Sequence, residues 1–249
     1  MSLIIPANSA SASGGYAVDN SARFNDGSSD YLNNTSVSTV TNRLKFTISF
    51  WVKRSTLGAK SMIGTVGGDT DNFGAIWFDS SDRLNCTEGS GGGTLNFITN
   101  RLFRDVSAWY NIILAIDTTQ GTEANRVKIY VNGVQETSFS TSTYPGQNSN
   151  MHLNRGGKTQ YISRHTDSSN NYYFDGYMSE VVWIDGSQEA ATSFGEFDED
   201  SGIWKPIDVS GLTFGNNGFY LDFEDSAALG ADVSGNTNNF TVNNLTAID

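Results

Sequence analysis

The chain has 249 residues, a formal net charge of −12 at pH 7, and 37% hydrophobic against 17% charged side chains. That is enough apolar material for a sizeable core, and all-β sandwiches commonly use such a length as one unit. The negative balance argues against nucleic acid, whose binding draws on clustered Lys and Arg, and against an anionic membrane surface; a well-solvated acidic exterior accounts for it.

In chain order, a short arm (residues 1–15) precedes a strand at Ser21–Asn25. Lys45–Lys53 then alternates with period two, placing Phe46, Ile48, Phe50 and Val52 on one face and Thr47, Ser49, Trp51 and Lys53 on the other. Strands follow at Gly74–Asp79 and Thr94–Thr99. Trp109–Asp117 groups Tyr110, Ile112, Leu114 and Ile116, and Arg126–Asn132 groups Val127, Ile129 and Val131. The last runs into Asn132-Gly133 and then Val134, a two-residue turn whose residues both need positive φ, hence a tight hairpin. Further strands are expected at Gln160–Ser163 and Gly176–Ile184, then a short helix around Gln188–Phe194, then strands at Gly218–Glu224 and Asn239–Asn243. Gly-, Asn- and Ser-rich loops separate them, and no composition break marks a linker. The expectation is one all-β domain over residues 1–249, an antiparallel β-sandwich of jelly-roll type, with apolar inner faces and polar outer ones.

Cys86 is the one cysteine, so no intramolecular disulfide is available. Met1–Pro6 lacks a basic region, and its apolar run is too short for a signal peptide. No stretch approaches the ~18 apolar residues of a membrane helix. Cytosolic synthesis without membrane insertion is the expectation.

Four motifs carry a family resemblance. Ala22-Arg23-Phe24-Asn25-Asp26-Gly27-Ser28-Ser29-Asp30-Tyr31-Leu32, Phe46–Lys53, Trp109-Tyr110-Asn111 with Ile129–Gly133, and Phe174–Val181 occur in the order in which concanavalin A-like lectin/glucanase (laminin-G-like) domains carry theirs. Phe219–Phe223 and Asp232-Val233-Ser234-Gly235-Asn236 resemble a strand and turn that many relatives carry at the front. The resemblance therefore implies permuted terminal strands that complete the sandwich beside the first. Phe194-Gly195-Glu196 through Trp204-Lys205-Pro206, with the late Asp-x-Ser-Gly-Asn, resembles the form of this domain found in tailed-bacteriophage virion proteins.

Glucanases of that superfamily use paired carboxylates on one strand. The nearest counterpart, Glu196-Phe197-Asp198-Glu199-Asp200, lacks the last Glu and follows Phe194-Gly195 in a loop, so no catalytic residue is assigned. His152 and His165 lie in polar loop sequence without a nucleophile elbow and are too few for a zinc site. Ca²⁺ is the one cofactor candidate, at Asp69, Asp71 and Asn72 in a Gly-containing loop, with Asp79 and Asp82 as a second choice; turn formation explains the same residues. Trp77, Tyr144, Tyr172 and Tyr173 are candidates for stacking on sugar rings or filling a partner's pocket. Asn-x-Ser/Thr sequons, among them those at Asn33, Asn85, Asn239 and Asn244, carry no weight in a chain this rich in Asn and Thr.

The resemblance leaves two readings open. One is a non-enzymatic virion structural protein, a capsid decoration or a tail or fibre component, made in the host cytoplasm and contacting other virion proteins and copies of itself. The other is a carbohydrate-binding lectin module.

Overall fold

The computed structural model describes residues 16–35, 39–66, 74–89, 94–166 and 171–246. In chain order the strands are β1 (Ala22–Phe24), β2 (Tyr31–Thr35), β3 (Lys45–Arg54), β4 (Lys60–Val66), β5 (Gly74–Phe78), β6 (Arg83–Glu88), β7 (Leu95–Leu102), β8 (Tyr110–Asp117), β9 (Val127–Val131) and β10 (Val134–Gln135). They continue with β11 (Phe139–Thr143), β12 (Thr159–Ile162), β13 (Arg164–Thr166), β14 (Asn171–Tyr173), β15 (Gly176–Asp185), β16 (Gly195–Phe197), β17 (Trp204–Pro206), β18 (Phe219–Leu221) and β19 (Thr241–Asn243). One sheet runs β1-β15-β3-β8-β9-β10, with β18 also on β15; the other runs β11-β7-β6-β5-β4-β12-β2-β19. All their pairings are antiparallel. Hairpins β13–β14 and β16–β17 stand apart as two-stranded sheets.

Alternation places the core where the sequence puts its apolar faces. Phe46, Ile48, Phe50 and Val52 of β3 and Ile112, Leu114 and Ile116 of β8 are fully buried and meet Ile76, Leu84, Cys86 and Phe97 of the other sheet. The Asn132-Gly133 hairpin forms as its residue types require, with φ of 49° and 76°. The late strands join the same two sheets: β18 pairs with β15 at Val181–Trp183, beyond β1 at Gly176–Met178, and β19 pairs with β2. Between those stretches of β15 the register shifts, and the buried Glu180 takes a φ of 50°. Its carboxylate accepts the Tyr220 hydroxyl at 2.6 Å and the Tyr16 hydroxyl at 2.9 Å.

Two expectations change. The helix around Gln188–Phe194 is a single 3-10 turn, Ala191–Ser193. Bracketed by Gly186 and Gly195, the segment is too short to repay helix nucleation and instead lays Ala191 and Phe194 on the sheet. The polar outer face of β3 is not solvated: Thr47 and Ser49 are 0% and 2% exposed. The segment after β15 covers that face, with Phe194, Trp204, Val209 and Phe214 packing on Ile113, Val182, Ile184 and Tyr220 as a second apolar cluster. Trp204 seals it. Its Nε1 donates to buried Asn111 Oδ1 at 3.0 Å, and its ring occupies the space where side chains at Gly133 and Gly195 would stand. The Thr47 hydroxyl donates to the Ser187 carbonyl and accepts the Glu189 N–H, so burial leaves it satisfied.

No helix among the described residues is long and apolar enough to cross a membrane.

Candidate functional site

With one sheet covered, the outer face of the eight-stranded sheet is the broad open surface of the described structure. Its register writes a row across all eight strands: Thr241, Asn33, Tyr161, Gly64, Ala75, Thr87, Asn96 and Thr143. A neighbouring row brings together Trp77, Asn85, Ile98 and Thr141. The cause is plain alternation: Leu84, Cys86 and Phe97 enter the core, so Thr87, Asn96 and Ile98 lie on the outer side, as does Asn85, which its neighbours leave only 4% exposed. No carboxylate stands in either row. Uncharged amides and hydroxyls surround the half-buried Trp77, with the small Gly64 and Ala75 between it and Tyr161.

The β13–β14 hairpin stands over this floor at β4, where a Cβ on Gly64 would lie 2.8 Å from the Arg164 carbonyl oxygen. It forms a wall of aromatic and cationic groups. The Arg164 guanidinium lies 4.7 Å from the ring of Tyr31 and 4.9 Å from that of Tyr161. Tyr173 tilts against Tyr31 at 6.1 Å, and Tyr172 stacks on His165. Such cation–π contacts hold the wall in place.

The sequence-derived ligand candidates divide. Trp77 is on the open face and Tyr172 and Tyr173 on the hairpin above it. Tyr144 is elsewhere, at the edge of the sandwich, its ring 4.8 Å from that of core residue Phe97. His165 proves to be a strand residue of β13, not a loop residue. Tyr31, Tyr161, Arg164 and the Asn85–Asn96 floor went unmarked, although the alternation of Arg83–Glu88 around Leu84 and Cys86 carried the signal.

Asp69, Asp71 and Asn72 lie outside the described residues. The second Ca²⁺ choice is overturned by its partners. Asp79 binds Arg83 at 2.7 Å, and Asp82 binds the fully buried Arg54 at 3.1 Å and Arg104 at 3.2 Å. Burial pushes Asp82 up, but the Gly58 N–H and the two guanidiniums outweigh it and hold the carboxyl below its ordinary value. Its charge neutralises Arg54. Among the described residues no group of three or more His, Cys, Asp or Glu is placed to hold a metal ion. Glu196 and Asp198 each reach Lys205 at 3.3 Å, and Glu199 is exposed. Hydrogen bonds from Ser201 and Lys205 hold Asp198 at about 2.

Fold and face together define a two-sheet sandwich of lectin type, one sheet closed by its own chain and the other presenting a polar, aromatic surface. The model of the concanavalin A-like lectin/glucanases superfamily matches residues 26–192, and the chain belongs to that superfamily. Among solved structures it is similar to a candidate carbohydrate-binding protein of Bacteroides ovatus, with a TM-score of 0.58 and 17% identity over 91% of this chain. It spans 58% of that protein. A heptameric SAP-like pentraxin of Limulus polyphemus superposes with a TM-score of 0.47 and 13% identity over 69% of this chain and 77% of its own. Domains of the mouse laminin alpha1 chain give 0.46 and 13%, over 68% and 43%. These likenesses are of fold. No curated protein matches the sequence.

Proposed function

We propose that the protein is a non-catalytic glycan-binding module whose ligand lies across the open face of the eight-stranded sheet. The observation that carries this reading is the composition of that face. In a chain of net charge −12, its two rows hold amides, hydroxyls and the Trp77 and Tyr161 rings and no acid. Sugar hydroxyls are met by such amides and hydroxyls, and the apolar face of a sugar ring is met by an aromatic one. The Bacteroides protein of the same fold supports the choice of ligand class. The test is a glycan array probed with the full chain and with Trp77→Ala. Selective binding that the variant loses supports the reading, and no binding to any glycan overturns it.

The setting we propose is a bacteriophage particle, in which the module is a capsid-decoration or tail component displayed in many copies. The support is the resemblance of Phe194–Pro206 and Asp232–Asn236 to virion proteins, now joined to a role: Phe194 and Trp204 close one sheet, so a module fixed to a particle keeps the other free for ligand. Antibody labelling of purified particles tests it, and particles free of the protein would refute it.

A further inference from the structure

The layer that closes the seven-stranded sheet stops short of one end. Asn111 is buried and bonded to Trp204, and Trp51, opposite it on β3, packs against the same apolar cluster. Two residues further along β3 comes Lys53. The register sets Tyr177 of β15 beside it and Arg23 of β1 beside Tyr177. Their chain neighbours Val52, Met178, Ala22 and Phe24 are buried in the core, so alternation puts these three side chains on the outer side. Trp109, which immediately precedes β8, completes the row, its ring 6.5 Å from that of Tyr177. All four side chains are partly exposed.

Two cations share one ring in this row. The Arg23 guanidinium carbon lies 5.4 Å and Lys53 Nζ 5.7 Å from the centre of Tyr177, both within reach of the ring's quadrupole. Arg23 is neutralised by the buried Asp175 at 2.7 Å. Its N–H groups on Asp175 and on the Gly176 carbonyl are two of the five that a guanidinium carries, and the rest are open to a ligand. Among the described residues no carboxylate forms an ion pair with Lys53, although the chain has 27 acidic side chains against 15 basic ones. Arg54, Arg83, Arg101 and Arg104 each hold an acid. Asp105, in the loop ahead of Trp109, is turned onto the N–H and hydroxyl of Ser107.

Cations beside aromatic faces suit a ligand that is both anionic and ring-shaped. A pyranose carrying a carboxylate offers an apolar C–H face to an aromatic ring and a planar oxyanion to ammonium and guanidinium groups. An acidic peptide is served less well. Strands β15 and β3, at the centre of the row, are paired on both sides and present no backbone edge for strand addition.

We propose that Arg23, Lys53, Tyr177 and Trp109 form a second binding site, which takes a hexuronate residue of an acidic saccharide. The sugar ring lies on Trp109, and its carboxylate meets Lys53 Nζ and the Arg23 guanidinium. The site is on the opposite sheet from Trp77 and stands independently of the glycan reading of that face.

Calorimetric titration of the full chain with trigalacturonate tests this, with the fully methyl-esterified trimer as its uncharged twin and hexaglutamate as an acidic peptide. Trigalacturonate is expected to bind, and to bind Lys53→Gln at least about tenfold more weakly, the loss of one charge-assisted contact. Trp109→Ala should weaken it by about the same factor, and Trp77→Ala should bind as the parent does. The ester should bind the parent at least about tenfold more weakly than the acid. Lys53→Gln alters a partly exposed side chain without an acid partner, so an unchanged circular dichroism spectrum separates lost binding from lost fold. Absence of binding, equal binding of the ester, or hexaglutamate bound as tightly as trigalacturonate would overturn the proposal. Binding that Trp77→Ala abolishes and Lys53→Gln leaves intact would overturn it too, while leaving the reading of the open face standing.

Discussion

Trp204 is where the closed side of the sandwich is most exposed to test. It is 6% exposed, its ring stands against Gly133 and Gly195, and its Nε1–H is bonded to buried Asn111 Oδ1. Trp204→Ala removes the whole ring, a change that costs about 3–5 kcal/mol in a packed site. It also strands an amide oxygen, for about 1–3 kcal/mol more. Against a total stability of about 5–15 kcal/mol, that variant is expected to unfold or to leave its outer layer detached. Trp204→Phe is the sharper perturbation, because it keeps most of the apolar contact and deletes the donor. Its expected cost is about 1–3 kcal/mol, the desolvation of an unpaired Asn111 oxygen. The assay is urea unfolding followed by circular dichroism, in a double-mutant cycle with Asn111→Ala. The two changes should couple by at least about 0.5 kcal/mol, as contacting groups do. Additive effects, or a Trp204→Phe variant as stable as the parent, would show that the outer layer is not held as described.

Two further outcomes follow from buried charges. Asp82→Asn leaves the fully buried Arg54 without its counter-ion and should cost about 3–5 kcal/mol, whereas Arg104→Ala, on a side chain 58% exposed, should cost less than about 1 kcal/mol by denaturant unfolding; equal costs would refute the assignment. Glu88 is buried at the end of β6 and accepts the His152 and Leu153 N–H groups, and burial raises its carboxyl to about 7 from 4.5 despite those bonds. The folded state then holds this proton more tightly than the unfolded state, so the contribution is fully present below pH 4.5 and is lost as pH rises through about 7. Stability measured across that window should fall more steeply in the parent than in Glu88→Gln, and parallel profiles would contradict the inference.

Much of the fold was legible because strands with one buried face write their period into the sequence. Phe46–Val52 and Tyr110–Ile116 were readable in this way, and Asn132-Gly133 specified its turn through positive φ. Strands β4, β6 and β11 were harder to see. Lys60–Val66 carries a register shift that breaks its alternation, Arg83–Glu88 hides Cys86 as an inward residue, and Phe139–Thr143 is an edge with one large apolar side chain. The closing of one sheet by Phe194 and Trp204 was invisible, because nothing local distinguishes a polar outer face that meets water from one that meets its own chain.

The candidate site was legible only in part, for a related reason. Trp77, Tyr172 and Tyr173 announced themselves as aromatics in or beside loops, and Tyr144 did so equally while belonging to the edge of the sandwich. Which aromatics share a surface depends on register between strands far apart in the chain, as in the pairing of Tyr161 with both Asn33 and Gly64. The acidic second choice for Ca²⁺ failed because composition cannot show that Arg54, Arg83 and Arg104 converge on Asp79 and Asp82.

The central claim, a glycan seated on the open face at Trp77, is tested most directly by calorimetric titration of the strongest array ligand into three proteins. The parent should bind. Trp77→Ala should lose about 2 kcal/mol, roughly thirtyfold in affinity, as a central aromatic contact does. Tyr144→Ala, an aromatic of similar exposure placed at the edge and not on the face, should bind within about twofold of the parent. Undiminished binding by Trp77→Ala, or a loss confined to Tyr144→Ala, would contradict the account and move the site to the edge of the sandwich.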